Sequence, residues 1–207
     1  LKVEFDNIHH PLQKSFYVEL EGGMEYAIKI EFFSYGNDPV AKLLWSMPYP
    51  DMEENALKKI KDSDITLLFM GLSPYLEGEE MPIKVEGFSG GDRTDIKLPS
   101  TQLNFINKVV QTGKPVVLVL MGGSAIAVND ADKKIPAILH SWYPGEFGGM
   151  ALAEILFGDV NPSGKLPVTF YKSIDDIPEF EDYNMHNRTY KYFPGDPLYP
   201  FGHGLSY

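Results

Sequence analysis

The 207-residue sequence contains no cysteine, which excludes disulfide frameworks, thiol catalysis and cysteine-ligated zinc but leaves the redox compartment open. Basic residues are scarce: 18 Lys and Arg stand against 29 Asp and Glu, a net charge of −11. An anionic surface repels phosphate backbones and anionic lipid, so neither nucleic acid nor a membrane is expected as a partner. A neutral ligand such as a sugar meets no penalty in that field. Long apolar runs are missing too. The most apolar stretch, Val116 to Val128, falls short of the ~20 residues of a membrane span and is split by Gly122 and Gly123. Leu1-Lys2-Val3-Glu4 shows neither an initiator Met nor the basic-then-apolar start of a secretory signal. That beginning reads as the interior of a processed protein or a fragment.

Several catalytic signatures are also lacking. Gly122-Gly123-Ser124-Ala125 has no closing glycine for a nucleophile elbow. There is no phosphate-binding Gly-x-x-x-x-Gly-Lys sequence and no dinucleotide fingerprint. His9, His10, His140, His186 and His203 do not fall at metal-ligand spacing, and the acidic residues do not form an Asp-x-Asp-x-Asp-Gly loop. Neither a metal nor a cofactor is expected. His203, in Phe201-Gly202-His203-Gly204, reads as a turn residue.

What is present is enough for a packed core: hydrophobic residues make up 43% of the chain and charged residues 23%. Two textures follow one another. Up to about residue 50 the pattern is β, with alternation in Phe16–Leu20 and Tyr26–Phe32 and a third strand expected at Ala41–Trp45. Glu21-Gly22-Gly23 and Tyr35-Gly36-Asn37-Asp38-Pro39 supply turns. Three strands make one sheet with nothing opposite it, the remnant of a partial β-sandwich. From Asp51 onward helix-like and apolar stretches alternate. Helices are expected at Met52–Lys61, at Ser100–Thr112 between Pro99 and Gly113, and at Gly148–Phe157 before Gly158. Ile65–Met70 and Val116–Leu120 read as strands covered on both faces, with further strand segments at Ala137–Leu139 and Leu166–Phe170. The fold class is therefore α/β: a mostly parallel sheet sandwiched by helices, over residues 51–207, preceded by the partial β-sandwich of residues 1–50.

The stretch Leu72–Lys97 fits neither pattern and is far longer than the ~4–6 residues of a usual connection. It follows a strand, and loops at the C-terminal ends of parallel strands are where ligands are met. It carries Glu77, Glu79, Glu80, Glu86, Asp92 and Arg93. A general acid working near neutral pH needs a carboxyl of raised pKa, which crowding or burial can supply. A solvated acidic loop has the same composition, so two readings stand. Ser89-Gly90-Gly91-Asp92-Arg93 is a glycine turn followed by an ion-pair couple, able to hold a sugar hydroxyl or simply to form a local salt bridge. Trp142 and Tyr143 suit either sugar stacking or core packing.

The second part resembles the family 3 glycoside hydrolases over residues 51–207. The resemblance is carried, in order, by Gly71-Leu72-Ser73-Pro74-Tyr75-Leu76-Glu77-Gly78-Glu79-Glu80-Met81, Gly87-Phe88-Ser89-Gly90-Gly91-Asp92-Arg93 and Trp142-Tyr143-Pro144-Gly145. It continues through Leu156-Phe157-Gly158-Asp159-Val160-Asn161-Pro162-Ser163-Gly164-Lys165-Leu166-Pro167 and Tyr199-Pro200-Phe201-Gly202-His203-Gly204-Leu205-Ser206-Tyr207. The wording is nearest the β-xylosidase-like and β-glucosidase-like branch. Gly22–Tyr26, Ile28–Glu31 and Ala41–Ser46 more weakly resemble the end of a protective-antigen-type β-sandwich insert found in some of these enzymes.

The resemblance implies a retaining two-carboxylate β-glycosidase acting on an oligosaccharide with terminal β-linked xylose or glucose. It implies a nucleophilic aspartate on a (β/α)8 barrel whose motif is not in this sequence, so the chain alone is expected to be inactive. It implies a general acid/base glutamate on the loop after the first sandwich strand, matching Glu77 best and Glu79 next. Asp92 and Arg93 match a motif at the active-site rim and are expected to bind substrate. The family also implies a periplasmic or secreted location. Against this enzyme half stand a carbohydrate-binding or interaction module without chemistry, and a flavodoxin-like regulatory domain.

Overall fold

The computed structural model describes residues 14, 16–32, 41–45, 51–78, 80–83 and 85–206, and the chain divides into two compact units, Leu1–Tyr49 and Pro50–Tyr207. In the first unit the turn expected at Glu21–Gly23 forms, closed by Met24 N–H donating to the Glu21 carbonyl at 3.3 Å. The strands expected around it do not: Phe16–Phe32 and Ala41–Trp45 form no ladder among the described residues, and all of them are exposed. Alternation gives a strand one apolar face, but a ladder needs a partner strand whose N–H and C=O groups meet its own. Tyr35–Pro39, expected to turn, lies outside the described residues.

The second unit opens with α1 (Met52–Lys61), whose Glu53 and Glu54 lie in its first turn and Lys58, Lys59 and Lys61 in its last, each sign where the helix dipole favours it. Then come β1 (Thr66–Gly71), the two-residue strands β2 (Phe88–Ser89) and β3 (Asp92–Arg93), and α2 (Ser100–Gln111). The chain continues through β4 (Val116–Met121), α3 (Asn129–Asp132), β5 (Ala137–His140), α4 (Gly148–Phe157) and α5 (Thr189–Tyr192). Strands β1, β4 and β5 make a parallel sheet in that order, as expected of an α/β chain. Gly158 ends α4 in the left-handed conformation, and Gly113 follows α2 in the same region.

The core gathers on β4. Leu118 is fully buried in one cluster with Ile106 and Val109 of α2 and with Ile126 and Val128 from beyond β4, and Val119 of the same strand is fully buried as well. Strand β1 differs from expectation. Only Leu68 of its side chains is buried, while Leu67 is 41% and Phe69 50% exposed. Leu67 and Phe69 point to one face of the sheet and Leu68 to the other, and the face of Leu67 and Phe69 is left open over β1, which has β4 as its one neighbour among the described residues. The strand expected at Leu166–Phe170 reduces to one antiparallel bridge, Phe170 to Tyr199. Leu166 also exchanges hydrogen bonds with the 202–203 turn, but Pro167 and Pro200 carry no N–H to continue a ladder between those points.

The register sets up the site. Gly71 pairs with Met121 and Leu120 with His140, so the three strands end together at one edge of the sheet. The α2 side chain of Gln102 clamps the end of β1, accepting from Gly71 N–H at 2.9 Å and donating to Gly71 C=O at 2.7 Å.

Candidate active site

Three loops leave that common edge: one from Leu72 after β1, one from Gly122 after β4 and one from Ser141 after β5. Met121 C=O accepts from Leu72 N–H, and Leu120 C=O from Ser141 N–H, so the loops begin as a continuation of the sheet. A fourth element, the β2–β3 hairpin, joins them. Gly90 and Gly91 both have positive φ, as a two-residue hairpin turn requires, and Ser89 pairs with Asp92. The turn read from Ser89–Arg93 is thus a hairpin, and it delivers Arg93 on its outgoing strand.

Glu77 is where the four elements meet. Its Oε1 accepts from the Ser124 hydroxyl at 2.6 Å, and Arg93 Nη1 lies 3.6 Å from the same oxygen. Its Oε2 accepts from Gly123 N–H at 3.0 Å and from the Tyr143 hydroxyl. A Cβ on residue 123 would lie 2.9 Å from the Tyr143 ring and 3.4 Å from Glu77 Oε2, so the approach depends on glycine. Only 12% of the Glu77 side-chain surface and 14% of that of Arg93 reach solvent.

Burial alone would push the Glu77 carboxyl up. The hydrogen bonds from Ser124, Tyr143 and Gly123, with the Arg93 charge, outweigh it and bring the carboxyl below the ordinary glutamate value. Burial, then the bond to Glu77 and its charge, push the Tyr143 phenol far above the usual range. Burial lowers Arg93, opposed by the Glu77 carboxylate. The guanidinium is otherwise spent on the protein: Nε donates to Asp95 C=O, Nη1 to Ser124 Oγ and Nη2 to Lys97 C=O, at 2.8–3.0 Å. It also lies over the Phe88 ring at 5.4 Å.

Around this cluster lies a cleft of about 510 Å³ lined by Pro74, Glu77, Gly78, Gly91, Asp92, Arg93, Gly123, Ser124 and Tyr143. Asp92 faces it, and its carboxylate has no partner among the described residues. Two further acidic residues of the loop bind elsewhere. Glu86 binds Ser100 at the start of α2, where an anion is favoured, and Asp95 accepts from Lys97 N–H. Glu79, the second acid/base candidate, lies outside the described residues. Among the described residues it is burial and its own donors, and no neighbouring carboxylate, that set the Glu77 carboxyl.

The sequence singled out Glu77, Asp92 and Arg93, and the fold places all three on one cleft. Gly123, Ser124 and Tyr143 were not singled out for this role. They stand 46, 47 and 66 positions from Glu77, and their common signal is that each follows the C-terminal end of a parallel strand. Trp142 packs instead against His140 and Phe170, at ring distances of 4.3 and 6.1 Å. His203 stacks on Tyr199 and closes a turn onto Pro200. Among the described residues no group of three or more His, Asp or Glu side chains could hold a metal ion, and no helix is long and apolar enough to cross a membrane.

The model of the glycosyl hydrolase family 3 C-terminal domain matches residues 4–207. A xylan 1,4-beta-xylosidase from Xylanibacter ruminicola is 49% identical over 154 residues, covering 74% of this chain and 18% of the relative. A periplasmic beta-glucosidase from Salmonella typhimurium is 38% identical over 168 residues, covering 75% of this chain and 21% of the relative. Among solved structures, an exo-beta-xylosidase of the same family, in complex with a xylobiose aziridine activity-based probe, superposes with a TM-score of 0.64. It is 31% identical, over 75% of this chain and 20% of that one. A β-glucosidase from Erythrobacter marinus superposes with a TM-score of 0.62 at 37% identity, over 76% of this chain and 21% of that one. The chain thus spans about a fifth of the length of these relatives.

Proposed function

We propose, since the chain belongs to glycosyl hydrolase family 3 through that family's C-terminal domain, that it supplies the general acid/base half of a retaining β-glycosidase active site. The observation that carries this reading is the convergence of the loops after β1, β4 and β5 on a carboxylate-bearing cleft, within a chain of that family. The substrate class proposed is an oligosaccharide ending in β-linked xylose or glucose, which the β-xylosidase and β-glucosidase relatives support.

Retaining hydrolysis needs two carboxyl groups roughly 5–5.5 Å apart across the scissile bond, one attacking the sugar and one protonating the leaving oxygen. The acid/base comes from the Glu77–Glu80 loop, with Glu77 and Glu79 as the two candidates. The nucleophilic aspartate comes from a companion barrel domain. Asp92 accepts from a sugar hydroxyl at the rim, and Arg93 supports the cleft wall. Residues 1–50 form the end of a protective-antigen-type insert, a reading supported by their alternating apolar pattern. A periplasmic or secreted location is part of the proposal, supported by the Salmonella typhimurium relative being a periplasmic beta-glucosidase.

The test is hydrolysis of aryl β-xylosides and β-glucosides by the complete polypeptide that carries this chain, with product anomers followed by NMR. Turnover with retained configuration is expected, and the 207-residue chain alone is expected to turn over neither. A complete polypeptide that binds xylo- or gluco-oligosaccharides and cleaves none would favour a binding module instead.

A further inference from the structure

We propose that Ser124 is a positioning residue of the cleft, a hydroxyl relay through which Arg93 holds the loop that carries Glu77. The kinetic consequence rests on the glycosidase reading; the geometry does not. Arg93 Nη1 and Glu77 Oε1 lie 3.6 Å apart, too far for a direct hydrogen bond. The Ser124 hydroxyl stands between them, accepting from Arg93 Nη1 at 2.8 Å and donating to Glu77 Oε1 at 2.6 Å. A guanidinium only donates and an ionised carboxylate only accepts, whereas a hydroxyl does both. The order of donation is therefore fixed, and no apolar side chain at residue 124 can replace it.

Both supports of the relay are anchored. Ser124 lies just before Ile126, Ala127 and Val128, all three buried. Arg93 donates to the carbonyls of Asp95 and Lys97, and that strip is tied to the Ser124 segment. Ala127 N–H donates to Ile96 C=O at 2.8 Å, and Lys97 forms a parallel bridge with Ala127. The Glu77 loop is packed less: residues 73–78 are half-buried or exposed throughout. The frame thus positions the loop, and not the reverse. Gly123 N–H and the Tyr143 hydroxyl hold the other carboxylate oxygen. Among the described residues, Ser124 alone of the donors to Glu77 also bonds Arg93.

Ser124→Ala removes both bonds of the relay and leaves Gly123 and Tyr143 in place. Misplacing a reacting group by about 1 Å costs on the order of 10²-fold. In the complete polypeptide, Ser124→Ala is expected to lower kcat on aryl β-xylosides or β-glucosides by roughly 10- to 10²-fold with KM unchanged, since the relay holds the loop and not the sugar. Ser124→Thr keeps the hydroxyl and is expected to restore most of that loss. Arg93→Lys keeps the charge but not the fork that reaches Ser124, Asp95 and Lys97 at once, and is expected to lose kcat likewise; it carries the test should Ser124→Ala not fold.

A second readout needs no turnover. Burial raises the Glu77 carboxyl, and Ser124, Tyr143, Gly123 and the Arg93 charge together bring it below the ordinary value. Without the Ser124 hydroxyl that lowering shrinks. Denaturant unfolding at several pH values should therefore show a shallower loss of stability below about pH 4 in Ser124→Ala than in the unsubstituted protein, with Ser124→Thr keeping the original slope. Unchanged kcat in Ser124→Ala would overturn the relay. So would a Ser124→Thr variant as impaired as Ser124→Ala, or an acid slope that Ser124→Ala leaves unaltered. If the unsubstituted polypeptide cleaves no aryl glycoside, the glycosidase reading fails, and the acid slope alone decides the relay.

Discussion

Strands β1 and β4 are both six residues long, are both mainly apolar and lie side by side, yet only one is sealed. Leu118, Val119 and Leu120 of β4 are 1% exposed or less, whereas Leu67 and Phe69 of β1 are 41% and 50% exposed. Cover separates them: β4 is sealed on both faces, whereas on β1 the face of Leu67 and Phe69 stays open. β4 has a strand on each side, and β1 has one neighbour only among the described residues. An apolar run reports that a segment gains by being covered. What covers it depends on where the rest of the chain goes.

Mutation can break that comparison. Leu118→Ala in β4 should cost roughly 2–5 kcal/mol, the transfer term plus a cavity in a fully buried site. Leu67→Ala in β1 should cost about 1 kcal/mol or less, because its side chain keeps much of its water contact. Urea unfolding of both variants decides it, and equal costs would mean that β1 is covered in solution.

The next effect sharpens the contrast at the end of β1. An edge strand is held by fewer partners, and here Gln102 supplies two bonds to Gly71 from outside the sheet. Gln102→Ala should cost about 1–3 kcal/mol and raise exchange at the Gly71 amide. No change would show that the clamp is replaced by water without loss.

Acid titration provides a smaller effect at the same edge. The folded pKa of Glu77 is lowered, so its contribution to stability is fully present above the ordinary glutamate value of about 4.3 and is lost as pH falls through the lower folded value. Wild type should therefore lose stability more steeply below about pH 4 than Glu77→Gln. Parallel curves for the two, from denaturant unfolding at several pH values, would remove the linkage. The smallest effect is expected far from the cleft. Lys108 of α2 pairs with Glu53 of α1 on the exposed surface, and Lys108→Ala should cost about 0–1 kcal/mol, vanishing in high salt.

Much of the second unit was legible because its signals are local. Pro99 and Gly113 bracket α2, Gly158 stops α4, and two consecutive glycines announce the β2–β3 hairpin, each acting through the φ of one residue. One misreading has a clear cause. Leu166–Phe170 carries a strand pattern, but pairing is a property of two segments, and a pattern describes one; the patterns of Phe16–Leu20, Tyr26–Phe32 and Ala41–Trp45 form no ladder among the described residues. The candidate site divides the same way. Glu77, Asp92 and Arg93 are close in sequence and were found as a motif; Ser124 and Tyr143 are distant and emerged only from the shared strand ends.

By itself, then, the sequence determined the α/β class, the limits of α1, α2 and α4, the glycine turn at Ser89–Arg93, and the loop that bears the acidic residues. These follow from backbone preferences and from the periods of 3.6 and 2, which act over a few residues. Tertiary structure alone decided which apolar run became the sealed centre of the sheet. It also decided what surrounds the Glu77 carboxyl. The sequence surrounds that carboxyl with other carboxylates, which favour protonation. The fold surrounds it with a guanidinium, two hydroxyls and a backbone N–H, whose hydrogen bonds and charge outweigh burial and hold the carboxyl below the ordinary glutamate value.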